Sequence, residues 1–316
     1  MPLKTARIGI VMDPIHAIKP YKDSTLAMML AAKSLGASLY YMEPDDLFIQ
    51  DGQSHAYAAK VDVFDDLKRW HAVEDRRAMP LKDLDIILMR KDPPVDKRFI
   101  HCCYLLEQAA REGVRVVNNP TALVALNEKL FATHFPDLCP PTLIASDKQA
   151  LRDFLDRHGT IIIKPLDSMG GEGVFQVKQD DVNFEVIWEL ETKRGTYPVV
   201  AQRFIPEILD GDKRVLVING QPFHHVLVRT PKQGSIRGNM AAGGTTQVRA
   251  INEREQAIAK RVGMTLVEKG ITLCGLDIIG DRLIEINITS PTGLREISKG
   301  CGEDVAMVVM KGLLAA

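Results

Sequence analysis

The chain has 316 residues, 46% of them hydrophobic and 26% charged, with a formal net charge of −1. That length suggests about two domains, or one domain with an insertion, in an ordinary globular composition. Near-neutral charge, with Lys and Arg spread along the chain, argues against nucleic acid or an anionic membrane as main partner. No stretch approaches the roughly 18 apolar residues that cross a bilayer, and the N-terminal ARIGIVMD is too short for a signal peptide. The cysteines (Cys102, Cys103, Cys139, Cys274 and Cys301) are odd in number and lack CxxC spacing, which predicts reduced thiols in a cytosolic protein.

Residues 7–13 read as a buried strand and Ser24–Leu35 as a helix stopped by Gly36. SLYYME is a second strand, and residues 47–63 form a hairpin around Asp51-Gly52. LDIILMRKDPP is a third core strand with a Pro-Pro stop, Phe99–Glu112 an apolar-faced helix, and VRVVNNP the next strand. Strands alternating with helices predict an open parallel sheet, whose ligands bind beyond the strand C-termini. Asp13, Arg90, Lys91, Asn118 and Asn119 fall at such ends. Each alone can be read as a turn or cap residue, but their coincidence marks a binding edge.

Thr121–Phe135 reads as a helix carrying Lys129, and Pro136 with Pro140-Pro141 as a linker. Ser146 and Gln149 form a capping-box pattern for a helix running to His158. TIIIKPLDSMGGEGVFQVK is a strand with Lys164 at its end, a glycine-rich turn and a second strand. Such a turn lets backbone N–H groups approach phosphate oxygens, and the lysine just upstream favours that use over a plain turn. It is neither a Walker A motif nor a Rossmann fingerprint, because no helix follows the glycines. VVAQRFI is another strand, and a hairpin around Asn219-Gly220 carries Arg214 and Arg229 on its arms. The glycine-rich TPKQGSIRGNMAAGGTT, which contains Arg237, is a functional lid or a disordered loop. A helix from Glu253 to Lys269 follows, with Asn252 and Glu255 as its capping pair and Gly270 as its stop.

The last hairpin, within Gly275–Arg295, places Leu276, Ile278, Ile284, Ile286 and Ile288 on one buried face. The other face carries Asp277, Glu285 and Asn287. A three-residue connection sets Asp277 opposite Glu285, and like charges so placed repel unless a cation lies between them. Two carboxylates and an amide oxygen suit Mg²⁺, which commonly takes its remaining ligands from phosphates. The plainer reading is a solvated edge face. The neutral Asn and the following Thr-Ser-Pro-Thr-Gly favour the metal. No GxSxG, HExxH or His/Cys metal spacing occurs, and His224-His225, adjacent on a strand, point to opposite faces and so pack or cap.

The motifs NEK (127–129), KPLDSMGGEGVF (164–175), DGDKRVLV (210–217), RGNMAAGG (237–244) and GLDIIGDRLIEINITSPTG (275–293), with IVMDPI and MRKDPP, occur in fixed order. The chain so resembles the bacterial glutathione synthetases of the ATP-grasp superfamily over nearly its full length. The resemblance implies an α/β fold with an N-terminal open parallel-sheet (pre-ATP-grasp) domain, residues 1–124, that binds substrate. A two-lobed ATP-grasp domain with antiparallel sheets, residues 125–316, would follow: a lid lobe at about 142–204 and a metal-binding lobe at about 205–316. It implies that ATP, γ-glutamylcysteine and glycine give glutathione, ADP and phosphate through an acyl phosphate.

By the same resemblance, Lys129 and Lys164 hold ATP phosphates and Gly170 and Gly171 cover them. Gln202, Arg203, Phe204 and Ile205 line the adenine slot, and Asp212 also binds ATP. Asp277, Glu285 and Asn287 hold a pair of Mg²⁺ ions, with Mn²⁺ a possible substitute. Arg214 stabilises the acyl phosphate, and Arg237 arrives with a closing loop at 230–245. Arg229 and Arg295 take substrate carboxylates, while Asp13, Ser24, Arg90, Lys91 and Asn119 bind the dipeptide. Asn239, Thr292 and Gly293 complete the substrate set. A cytoplasmic homotetramer is the family expectation. The chain departs from the family pattern at Gly293, where Cys is usual, and at Arg203. The alternatives are another ATP-grasp ligase, of the D-alanine–D-alanine or glutamate type, or an ATP-binding module without turnover. Intact Glu285, Asn287 and Arg214 argue against the last.

Overall fold

A computed structural model of the chain describes residues 5–232, 234 and 244–315. The first sheet contains β1 (Arg7–Val11), β2 (Ser38–Met42), β3 (Leu47–Gln50), β4 (Gln53–Val63), β5 (His71–Val73), β6 (Arg77–Pro80), β7 (Ile86–Met89) and β8 (Arg115–Val117). Its order is β3-β4-β2-β1-β7-β8, with β5 and β6 also paired to β4. The centre, β2-β1-β7-β8, is parallel as the alternation of strands and helices predicts, and β4 adds to it antiparallel. Helices α1 (Ser24–Ser34) and α2 (Lys97–Arg111) cover opposite faces. β7 is buried throughout: Ile86 and Leu88 pack on the α1 side, Ile87 and Met89 on the α2 side. The β3–β4 hairpin turns at Asp51-Gly52, both with positive φ, as a tight two-residue turn requires.

The helix expected over Thr121–Phe135 does not form as one piece. α3 (Pro120–Ala125) ends early, a turn carries Lys129, and a single 3₁₀ turn spans Phe131–His134. The Asn127 side chain is the cause: its Oδ1 accepts the Lys129 and Leu130 N–H groups, competing with helical bonding.

The second sheet holds β9 (Thr142–Ala145), β10 (Thr160–Pro165), β11 (Phe175–Lys178) and β12 (Val199–Arg203) in the antiparallel order β11-β10-β12-β9. α4 (Lys148–His158) and α5 (Phe184–Glu191) close a small core around Leu151, Leu155, Ile161, Ile163 and Phe184. The α4 cap is Asp147, whose Oδ1 accepts the Ala150 N–H at 2.8 Å, not the Ser146/Gln149 pair. Gln149 turns instead to Asp153.

The third sheet holds β13 (Asp212–Ile218), β14 (Gln221–Thr230), β15 (Thr245–Ala250), β16 (Leu273–Ile279) and β17 (Arg282–Asn287), all antiparallel, in the order β15-β14-β13-β16-β17. α6 (Glu253–Glu268) carries the expected Asn252/Glu255 capping box. It packs so closely on the Asn219-Gly220 turn that a Cβ on Gly263 would lie 2.6 Å from the Gly220 carbonyl. α7 (Leu294–Cys301) and α8 (Val305–Leu314) share one apolar core with α1, β1 and the inner side of β13 and β14. The first and third sheets are therefore joined by buried apolar contact, which sets the strand ends of one against the polar face of the other.

Candidate functional site

A two-residue turn, Gly280-Asp281, joins β16 to β17, with Ile279 opposite Arg282 and Ile278 opposite Leu283. A β-bulge then shifts the register, and Asp277 faces Glu285. The expected pairing is present, but a bulge produces it rather than a three-residue connection. In consequence Leu283 fills the core position expected of Ile284, and Ile284 turns into the wall of a cavity.

That cavity has a volume of about 630 Å³ and reaches all three sheets. Volumes of roughly 300–1,000 Å³ are usual for small-molecule sites. At its centre Arg214, from β13, grips Asp277 with Nε at 2.5 Å and Nη2 at 2.8 Å. Arg229, from β14, reaches the same Asp277 at 2.9 Å and also pairs with Asp212. Two guanidiniums and two carboxylates thus neutralise each other under low exposure. Burial pushes the Asp277 carboxyl up, but Arg214 and Arg229 outweigh it and hold it well below the ordinary carboxylate range. Burial wins at Asp212, raising it to about 6 against the opposing pull of Arg229.

Several oxygens here lack donors. Asp212 Oδ1 is buried without a partner among the described residues. The Asn287 amide donates to Gly275 O at 3.1 Å and Asp277 Oδ2 at 3.3 Å, and its own oxygen takes no hydrogen bond among the described residues. No described residue donates a hydrogen bond to the Glu285 carboxylate. No group of three His, Cys, Asp or Glu side chains forms a metal cage among the described residues. Few protein oxygens, all hard, fit a cation that completes its shell from phosphates.

Lys164, at the end of β10, is buried and reaches Ile284 O at 3.5 Å. Burial lowers its pKa, partly opposed by nearby Glu285. Lys129 donates to the carbonyls of Ser168 and, at 3.3 Å, Leu166, at the start of the glycine-rich turn. Gly170 and Gly171 in that turn have φ of +64° and +79°, which other residues rarely adopt. Gln202, Arg203, Phe204 and Ile205 line the cavity's far side.

Beyond the C-terminal ends of β1 and β7, Asp13 and Arg90 line the cavity, with Ser24 at the start of α1. Arg90 is buried and donates to Thr25 Oγ1 at 3.1 Å and Pro291 O at 3.0 Å, bridging to the segment after β17. Lys91 pairs with Asp13 at 2.9 Å and stands behind it, outside the cavity lining. Asn119 caps α3 and packs against Gly270, also outside the lining. The Asn118 side chain bonds the backbone of Thr272, Leu273 and Ile288, tying the sheets together. Thr292 lines the cavity, whereas Arg295 turns to Asp23 O and Asp65. Gly293 starts α7 with φ of +109°, a conformation that explains glycine there. Arg237 and Asn239, with most of the 230–245 loop, lie outside the described residues. His224 and His225 are no ligand pair: His224 meets Glu303 at 3.0 Å.

Sequence reasoning missed Glu128, Asp23, Glu296 and the wall residue Ile284, all in the cavity lining. Only Glu128 had a signal, its place inside NEK.

A family model described as the N-terminal domain of prokaryotic glutathione synthetase matches residues 6–123, and one described as its ATP-grasp domain matches 128–302. The chain is 47% identical to glutathione synthetase of Pseudomonas putida (strain KT2440) over 309 residues, 98% of each chain. It is 48% identical to that of Escherichia coli (strain K12) over 291 residues, 92% of each. The crystal structure of D-cycloserine synthetase DcsG superposes with a TM-score of 0.68 at 13% identity, over 98% of this chain and 99% of that one. The ATP-grasp ligase PsnB, complexed with minimal precursor, gives 0.63 at 18%, over 98% and 99%. At such identities the likeness to these two is one of fold. With family models over both halves and close to half of all residues identical to curated relatives, the chain belongs to the prokaryotic glutathione synthetase family, on an α/β ATP-grasp fold.

Proposed function

We infer that this chain is an ATP-dependent carboxylate–amine ligase that joins γ-glutamylcysteine to glycine, giving glutathione, ADP and phosphate. One observation carries the reading: a single cavity is lined by Lys129, Lys164 and a glycine-rich turn together with Asp13, Ser24, Arg90 and Arg214. Cations and backbone N–H groups suit a triphosphate, and the same cavity offers Arg90 and Arg214 to a peptide carboxylate. The family membership supplies the identity of product and substrates.

In the first step a cysteinyl carboxylate oxygen attacks the γ-phosphorus and the bond to the β,γ-bridging oxygen breaks, releasing ADP. In the second, the glycine nitrogen attacks the acyl carbon, the carbon–oxygen bond to phosphate breaks, and the amine gives up a proton. Positioning and charge neutralisation dominate such chemistry. Lys129 and Lys164 orient the phosphates, with Gly170 and Gly171 presenting backbone N–H groups over them. Gln202, Arg203, Phe204 and Ile205 flank the adenine, and Asp212 takes part in ATP binding. Arg214 stabilises charge on the acyl phosphate, aided by Arg237. Arg229 offers a fork to a substrate carboxylate. Arg295 is a further carboxylate partner, and Asp13, Ser24, Arg90, Lys91, Asn119, Asn239, Thr292 and Gly293 complete the substrate set; for Lys91, Asn119 and Gly293 the contribution is through neighbours. Glu285, Asn287 and Asp277 would hold Mg²⁺, or Mn²⁺ in its place, which would neutralise charge on the phosphate oxygens and so ease attack at the γ-phosphorus and departure of ADP. Division at residues 1–124 and 125–316, cytoplasmic location and homotetramer assembly belong to the same proposal. No helix among the described residues is long and apolar enough to cross a membrane.

The test is phosphate release by the purified protein with ATP and Mg²⁺. Release that requires both γ-glutamylcysteine and glycine is expected, with glutathione as product. Release with D-alanine alone would point to another ATP-grasp ligase, and nucleotide binding without turnover would overturn the assignment of an enzyme.

A further inference from the structure

We propose that Glu128 is a positioning residue for the cation site, holding the exit of β17 so that Glu285 and Asn287 present their oxygens at one fixed place. The inference rests on the reading above, in which a divalent cation sits at those two side chains.

β17 is the edge of the third sheet, so one of its sides pairs with β16 and the other has no strand beside it among the described residues. Glu128, far away in sequence, occupies that open side. Its carbonyl accepts the Ile286 N–H at 3.0 Å. Its Oε1 accepts the Ile288 N–H at 2.7 Å, the Thr289 N–H at 2.9 Å and the Thr289 hydroxyl at 2.9 Å. Asn287 is thus bracketed on both sides by one residue. Ile288 and Thr289 are buried, so water does not replace these bonds, and losing the acceptor would strand two N–H groups. The flanking residues extend the device. Asn127 Nδ2 and Lys129 Nζ both donate to Leu166 O, which ties the same turn to the glycine-rich loop. The tripeptide therefore connects the strand bearing the cation's oxygens to the loop facing the phosphates.

The test is a Mn²⁺ titration followed by electron paramagnetic resonance, with ADP bound to full-length protein, alongside ADP affinity in EDTA. Partners that orient metal ligands typically carry about 10-fold or more in metal affinity. Glu128→Ala is expected to weaken Mn²⁺ binding by about that factor, with metal-free ADP affinity unchanged within about twofold. Glu128→Gln keeps an acceptor at Oε1 and should recover most of the loss. Thr289→Val, which removes one of the three bonds, should show a smaller shift and keeps the question open to measurement should Glu128→Ala fail to fold. Unchanged Mn²⁺ affinity in both the Ala and the Val variants would overturn the proposal. So would an equal fall in metal-free ADP affinity, or wild-type Mn²⁺ affinity indifferent to Glu285→Gln. No γ-glutamylcysteine or glycine enters the titration, so a wrong acceptor assignment would leave its outcome intact.

Discussion

Arg214 holds Asp277 in a two-pronged grip, Nε to Oδ1 at 2.5 Å and Nη2 to Oδ2 at 2.8 Å, on adjacent strands of the third sheet. Arg229 shares Oδ1 of the same carboxylate and also meets Asp212. The acidic residue expected only to bind metal is therefore also the counter-ion of two buried guanidiniums. Glu285, opposite Asp277 on the hairpin, grips no guanidinium among the described residues; the buried cation near it is Lys164. The two carboxylates should then behave differently when removed.

Asp277→Asn is expected to lower unfolding free energy by about 3 kcal/mol, because it leaves buried arginines short of a partner. The pH dependence has a definite sign. The folded carboxyl lies below the unfolded value of 3.8, so its stabilisation is present above that value and lost as pH falls below it. Urea unfolding at neutral pH and near pH 3 should show the wild-type advantage over Asp277→Asn shrinking in acid. An undiminished gap in acid would contradict the assignment.

Glu285→Gln should leave the melting temperature nearly unchanged and lower kcat by at least about 100-fold, the upper end of what displaced metal partners cost. Turnover near wild type at saturating Mg²⁺ would remove Glu285 from the cation site.

Much of this was legible where the determining contacts are local. The Asn252/Glu255 box, the Asp51-Gly52 turn and the Arg214/Arg229 hairpin follow from neighbouring residues alone. The Asn127 side chain that ends α3 is equally local, but helical periodicity hid it. The Ile284 bulge is invisible because it leaves apolar residues on both candidate faces, so alternation cannot say which one enters the core. Glu128 and Asn118 bond partners more than 150 residues away, which no window on the sequence contains. Most roles in the site came through resemblance, since Lys129 and Gln202 have no spacing that marks them as nucleotide contacts.

The thiols offer a check on packing away from the site. Burial pushes Cys103 and Cys274 up to about 12 and Cys139 up to about 11, and it raises Cys102 as well. Cys301 is the one free cysteine with partial exposure among the described residues. Iodoacetamide at pH 8 should modify Cys301 first, with the other four slower by at least about 100-fold, in keeping with their small thiolate fraction. Peptide mass spectrometry reads the order, and all five should react in urea. Rapid native labelling of Cys102 or Cys103 would mean that α2 does not pack on the sheet as described.

Gly275 tests how tightly the central arginine is held. A Cβ there would lie 2.7 Å from Arg214 Cδ and 3.2 Å from its Nε, tighter than side-chain carbons tolerate. Backbone strain is not at issue, because Gly275 sits mid-strand in β16 opposite Asn287. Gly275→Ala must therefore move the guanidinium off Asp277 or bend the strand, at a cost of about 1–3 kcal/mol for overpacking. If Arg214 serves the acyl phosphate, as proposed, and not the adenine, kcat should fall more than the KM for ATP changes. Steady-state kinetics in parallel with urea unfolding separates the outcomes. A stability loss with unaltered kcat would show that Arg214 can shift without harm, and its assigned part in the chemistry would fall.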